Sequence, residues 1–157
     1  MQLILDNTVV SNFSQEHLLH MLVSSWDGQV ITTEDVFLEY QAGIKAGKLP
    51  AIGKFLFPVV ELNSQERRFC SSLSTRLGAG EASCLAVAYH RKAIIATDDL
   101  FARKIAAQLD IRIVGTVGIL VEAVRKNELS LSQAQAVLDM MMELGYRSPI
   151  RSLMELL

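Results

Sequence analysis

Short β-type runs alternate with helix-length stretches along almost the whole of this chain, and that alternation leaves few folds open. Residues 2–5, 29–32, 92–96 and 111–114 are apolar runs of strand length, and 59–62 is a further extended segment. Helical spacing runs over residues 15–25, where Leu18, Leu19, Leu22 and Val23 recur, and again over 34–47, 64–77, 81–90, 100–109, 117–126 and 132–144. Thr33 and Ser64 stand where helix caps are expected, and Gly145 where a helix should stop. Residues 78–80 read as a tight turn, the stretch 50–58 as holding one short helix, and Ser148 and Pro149 as opening a short final one. Strands separated by helices imply a mainly parallel sheet covered on both faces, with right-handed connections. No repeat or linker interrupts residues 1–157, so a single α/β domain is expected.

Composition narrows the class. Half of the residues are hydrophobic, enough for a real core, and 20% are charged. The longest apolar run, 111–121, is broken by Arg112, Gly115, Thr116 and Gly118, so no membrane span is expected. The N-terminus carries no basic region of the signal-peptide kind, which makes the cytoplasm the expected compartment. Cys70 and Cys84 lack metal-site spacing and read as small packing residues. A net charge of −2 argues against holding nucleic acid by overall charge, and it fits a chain that reserves several acids for a cation.

Ligands of open parallel α/β sheets bind beyond the carboxyl ends of the strands. There the sequence places Asp6-Asn7-Thr8, Thr97-Asp98-Asp99 and Gly115-Thr116. Two helices add acids. Glu39 lies at the edge of the apolar side marked by Val36, Phe37, Tyr40 and Ile44, and Glu81 shares a stripe with Leu85 and Ala88. Singly, each acid has a plain alternative as a cap or a solvated helix residue. Together, Asp6, Glu39, Glu81, Asp98 and Asp99 are expected to converge. Such carboxylates repel one another, and a hard divalent ion, Mg²⁺ or Mn²⁺, relieves the conflict. One ion or a pair roughly 3.5–4 Å apart would serve phosphodiester cleavage.

These residues resemble the PIN-domain family. The likeness is carried by residues 3–8 (LILDNT), Glu39, Gly78-Ala79-Gly80-Glu81-Ala82, Ala96-Thr97-Asp98-Asp99 and residues 115–120 (GTVGIL), and it is nearest to a VapC-like prokaryotic branch. It spans residues 1 to about 145. The resemblance implies a three-layer α/β/α sandwich, Mg²⁺ or Mn²⁺, and cleavage of RNA. Asp6, Glu39, Glu81 and Asp99 correspond to the four family acids, with Asp98 an extra neighbour able to bind metal. Thr8 and Thr97 match polar positions that hydrogen-bond to the acids, and Thr116 is expected beside the site. Asn7 stands where Thr or Ser is commoner. Many relatives are toxins paired with an antitoxin, and many are homodimers.

The expected chemistry follows. Asp6 and Asp99 hold the principal ion with Glu81 directly or through water, and Glu39 holds a second ion or orients water. Arg103 and Lys104, one turn beyond Asp99, are the expected RNA contacts, while the pairs Arg67–Arg68, Arg91–Lys92 and Arg125–Lys126 read as solvated surface. His17 and His20 read as a partly exposed pair. An aspartyl-nucleophile phosphatase would need Asp where Thr8 stands. The competing reading is a non-catalytic PIN-like module that binds nucleic acid or protein. The run Met140-Met141-Met142 and the apolar tail read as intramolecular packing.

Overall fold

The first strand, β1 (Leu3–Leu5), is apolar and buried at every position, so helices must cover both of its faces. The protein is seen in a computed structural model that describes residues 1–51 and 56–157. After β1 come α1 (Asn7–Asn12), α2 (Glu16–Ser25), β2 (Val30–Thr33), α3 (Glu34–Lys45), β3 (Val59–Val60), α4 (Ser64–Leu73) and α5 (Ala79–Arg91). Then follow β4 (Ile94–Ala96), α6 (Leu100–Gln108), β5 (Ile113–Val114), α7 (Thr116–Arg125), α8 (Leu131–Glu143) and a 3₁₀ turn at Leu153–Leu156.

The strands form one sheet in the order β3-β2-β1-β4-β5, with every pairing parallel. Helix α5 lies across β1, β2 and β4 and packs with α3, α4 and α6, while α7 packs with α2 and α8. The result is the expected three-layer α/β/α sandwich. From β1 the chain steps outward to β2 and β3, then returns to the other side of β1 for β4 and β5. The order therefore reverses between β1 and β4, where such sheets form a crevice. Leu5 pairs with Ala96, and the Asp6 N–H donates to the Ala96 carbonyl at 3.0 Å, so the two strands end level.

Local chemistry revises several sequence expectations. Helix α1, absent from the periodicity, begins at once after β1 because the Asp6 carboxylate caps it. Asn63, not Ser64, caps α4, in a reciprocal box with Glu66. Residues 78–80 are not a free turn: Gly78 is the N-cap of α5 and Ala79 and Gly80 already belong to the helix. Helix α7 starts at Thr116, one residue earlier than its spacing predicts. Ser148 does not open a helix; its hydroxyl accepts the Ile150 N–H, and the helical turn waits until Leu153. The short helix expected within 50–58 falls partly on 52–55, outside the described residues. Met141 and Leu153 are buried in the core, whereas Met154, Leu156 and Leu157 of the apolar tail are exposed, so intramolecular packing accounts for only part of these residues. Among the described residues no helix is long and apolar enough to cross a membrane.

Candidate active site

Asp6 ends β1 and caps α1 in the same stroke, and it is 1% exposed. Its Oδ1 accepts the backbone N–H groups of Thr8 at 2.9 Å and Val9 at 3.3 Å, and the Thr8 hydroxyl at 2.5 Å. Its Oδ2 accepts the Thr97 hydroxyl. Burial nonetheless outweighs these four donors and pushes the carboxyl up from 3.8 to about 6.

The two threonines do more than satisfy Asp6. The Thr8 hydroxyl also accepts the Asp98 N–H at 3.0 Å, and the Thr97 hydroxyl accepts the Asp99 N–H at 3.1 Å. Each hydroxyl thus gives its proton to Asp6 and takes one from the turn after β4. The ends of β1 and β4 become one hydrogen-bonded unit across the crevice.

The adjacent aspartates face different partners. Asp99 caps α6, its Oδ1 accepting the Ala102 N–H at 2.7 Å. Asp98 turns to α7: its Oδ1 accepts the Thr116 N–H at 2.9 Å and the Tyr146 hydroxyl at 3.3 Å. Its Oδ2 accepts the Thr116 hydroxyl and the Asn12 amide, the latter at 3.2 Å. Burial and the Asp98 charge push the Tyr146 phenol far upward, so it stays protonated as a donor. Asn12 and Tyr146 were not singled out from the sequence. Gly145, at φ +109°, is the sequence signal beside Tyr146, whose hydroxyl reaches Asp98 just after the turn.

Glu39 and Glu81 come from neighbouring helices. Glu39 on α3 sets its Oε1 2.9 Å from the Gly80 N–H in the first turn of α5. Burial raises its carboxyl, and the charges of Glu81 and Asp35 add to the rise. Glu81 is half-buried in that same first turn. Cys84, on the same helix as Glu81, is wholly buried, with its Sγ 3.5 Å from the Leu5 carbonyl. Its thiol is pushed well up, first by burial and then by the charges of Asp6, Glu39 and Glu81. One buried thiol therefore feels three of the expected acids, and Thr97 joins the first of them to Asp99.

Asp6, Asp98, Asp99 and Glu39 nevertheless each turn to their own donors. Among the described residues no group of three or more His, Cys, Asp and Glu side chains stands close enough to hold a metal ion. The donor set is hard oxygen throughout, which suits Mg²⁺ or Mn²⁺. Asn7 adds a side-chain oxygen, buried and without a hydrogen-bond partner, directly after Asp6. On those two grounds the residues fit such an ion.

Of the expected RNA contacts, Lys104 is exposed, whereas half-buried Arg103 donates from Nη1 to the Thr97 carbonyl at 2.9 Å. His17 and His20 are both exposed on α2. Arg91 is bound to the buried Glu66 at 2.8 Å.

A family model described as a PIN domain matches residues 2–157. The chain belongs to the PIN-domain family. No curated protein and no solved structure matches it. PIN domains are generally nucleases that use divalent metals. In this PIN domain Thr97 links Asp6 to the Asp99 N–H where the strand order reverses, and Glu39 and Glu81 meet at the first turn of α5.

Proposed function

We propose that this PIN domain is a metal-dependent endoribonuclease that cleaves phosphodiester bonds of single-stranded RNA. The observation that carries the reading is the threonine-bridged union of Asp6 with the Asp99 turn at the switch point of the sheet, with the charges of Asp6, Glu39 and Glu81 all acting on the buried Cys84 thiol. Asp6, Asp99 and Glu81 would hold the ion. Asp99 is preferred to Asp98 because Thr97 ties its N–H directly to Asp6, while Asp98 serves the α7 corner. When bound, Mg²⁺ or Mn²⁺ supplies Lewis-acid activation of water near neutral pH and neutralises charge developing on phosphate. Glu39, anchored through Oε1 and raised by burial, is suited to accept a proton from the attacking water.

An open groove of about 680 Å³ runs past the aspartates, lined by Thr8, Asn12, Asp99, Phe101, Tyr146 and Arg147 among others. Leu100 is 83% exposed at its edge, and the Arg76 guanidinium lies 5.4 Å from the centre of the Phe101 ring. An apolar, aromatic and basic rim of this kind offers faces for unpaired bases and a cation for phosphate. It supplies the contacts that Arg103, spent on Thr97, supplies less readily.

The dispersal of the carboxylates to separate donors favours one second reading, a PIN module that binds nucleic acid or protein without cleaving it. The VapC-like branch, a toxin role with an antitoxin partner, and a homodimer rest on the family likeness alone. The deciding experiment is cleavage of single-stranded RNA with Mn²⁺ by the wild type and Asp6→Asn. The nuclease reading requires activity in the first and its loss in the second; equal cleavage by both would refute the assignment.

A further inference from the structure

We infer that Gly80 is a positioning residue for Glu39: its missing side chain is the seat into which the Glu39 carboxylate fits against the first turn of α5. The inference rests on the reading of Glu39 as an acid of the metal site. A Cβ built on Gly80 would stand 2.6 Å from Glu39 Oε2, 2.8 Å from Oε1 and 2.9 Å from the carboxyl carbon. The whole carboxylate lies where any other residue would put its first side-chain atom. From there Oε1 accepts the Gly80 N–H at 2.9 Å.

Backbone conformation does not explain this glycine. Among the described residues the glycines of positive φ are Gly28, Gly47 and Gly145, while Gly80 sits inside a helix that any residue can join. The other glycine of the motif is alike: Gly78 has φ −64°, and a Cβ there would stand 2.5 Å from Glu81 Oε2. Both glycines thus make room for a carboxylate. The displaced group at Gly80 would be the end of a flexible side chain, so alanine drives Glu39 off its donor and leaves the helix intact. Alanine also favours helix over glycine. Gly80→Ala should therefore keep or slightly raise the melting temperature while it disorders Glu39.

The test compares wild type, Gly80→Ala, Glu39→Gln and the double variant by Mn²⁺ calorimetry, thermal melting and amide NMR. In the wild type, Glu39→Gln should shift the residue 80 amide resonance strongly; in the Gly80→Ala background it should leave that resonance in place. Mn²⁺ affinity should fall about 10-fold or more in Gly80→Ala, and the double variant should be no weaker than Glu39→Gln alone. Full wild-type affinity in Gly80→Ala, or additive losses in the double variant, would overturn the inference. So would an amide at residue 80 that ignores Glu39→Gln. If the wild type bound no Mn²⁺, the metal reading would fail, and the amide response would still decide whether Gly80 seats Glu39.

Discussion

Asp6 combines full hydrogen bonding with a raised pKa, and the two facts pull stability in opposite directions. Its folded value of about 6 against an ordinary 3.8 means that the folded chain binds a proton more tightly than the unfolded chain between those limits. Below the lower limit both states are protonated and ionisation costs nothing. As pH rises through the folded value the carboxylate must be buried charged, and about 3 kcal/mol of stability is lost. In metal-free buffer the wild type should therefore lose ground to Asp6→Asn by about that amount between pH 4 and pH 7, as read by urea denaturation. A flat difference across that range would show that Asp6 is better solvated than its burial implies. Thr97 carries the opposite sign of effect. Thr97→Val leaves a buried carboxylate oxygen and the Asp99 N–H unpaired, which should cost about 2–4 kcal/mol in the same assay. A loss below 1 kcal/mol would mean that the hydroxyl link contributes little.

The elements were legible where periodicity decided them and obscure where a single side chain did. Helices α2, α3, α6 and α8 follow their apolar spacing to within a residue or two. Helix α1 is six residues long and exists because Asp6 caps it, so no period could reveal it. At α4 both Asn63 and Ser64 are good caps. The reciprocal bonds of Asn63 with Glu66 decide between them, and they also present Glu66 to Arg91 at the end of α5. Asn63→Ala should accordingly cost about 1 kcal/mol by denaturant titration, with Ser64→Ala near neutral. Equal effects would restore Ser64 as the cap. In the Gly-Ala-Gly motif the glycines suggested a turn, whereas the chain needed their lack of bulk within a helix.

At the scale of the whole molecule, alternation of strand and helix was enough to read a parallel sheet, and the acids at strand ends pointed to the end of the sheet where a ligand is proposed to sit. The sequence could not show strand order, and strand order is what sets Asp6 beside Thr97 and brings β4, not β2, to the aspartate side of the crevice. Nor could it show that Asp98 and Asp99, neighbours in the chain, serve different elements. That division depends on Asn12, Thr116 and Tyr146, which arrive from three distant places. In the proposed reading, one cation gathers carboxylates that separate elements carry. Calorimetric titration of Mn²⁺ into the metal-free wild type, Asp6→Asn and Asp99→Asn tests this most directly. Saturable binding by the wild type, abolished in both variants, is the predicted result. No binding by the wild type, or undiminished binding by either variant, would contradict it.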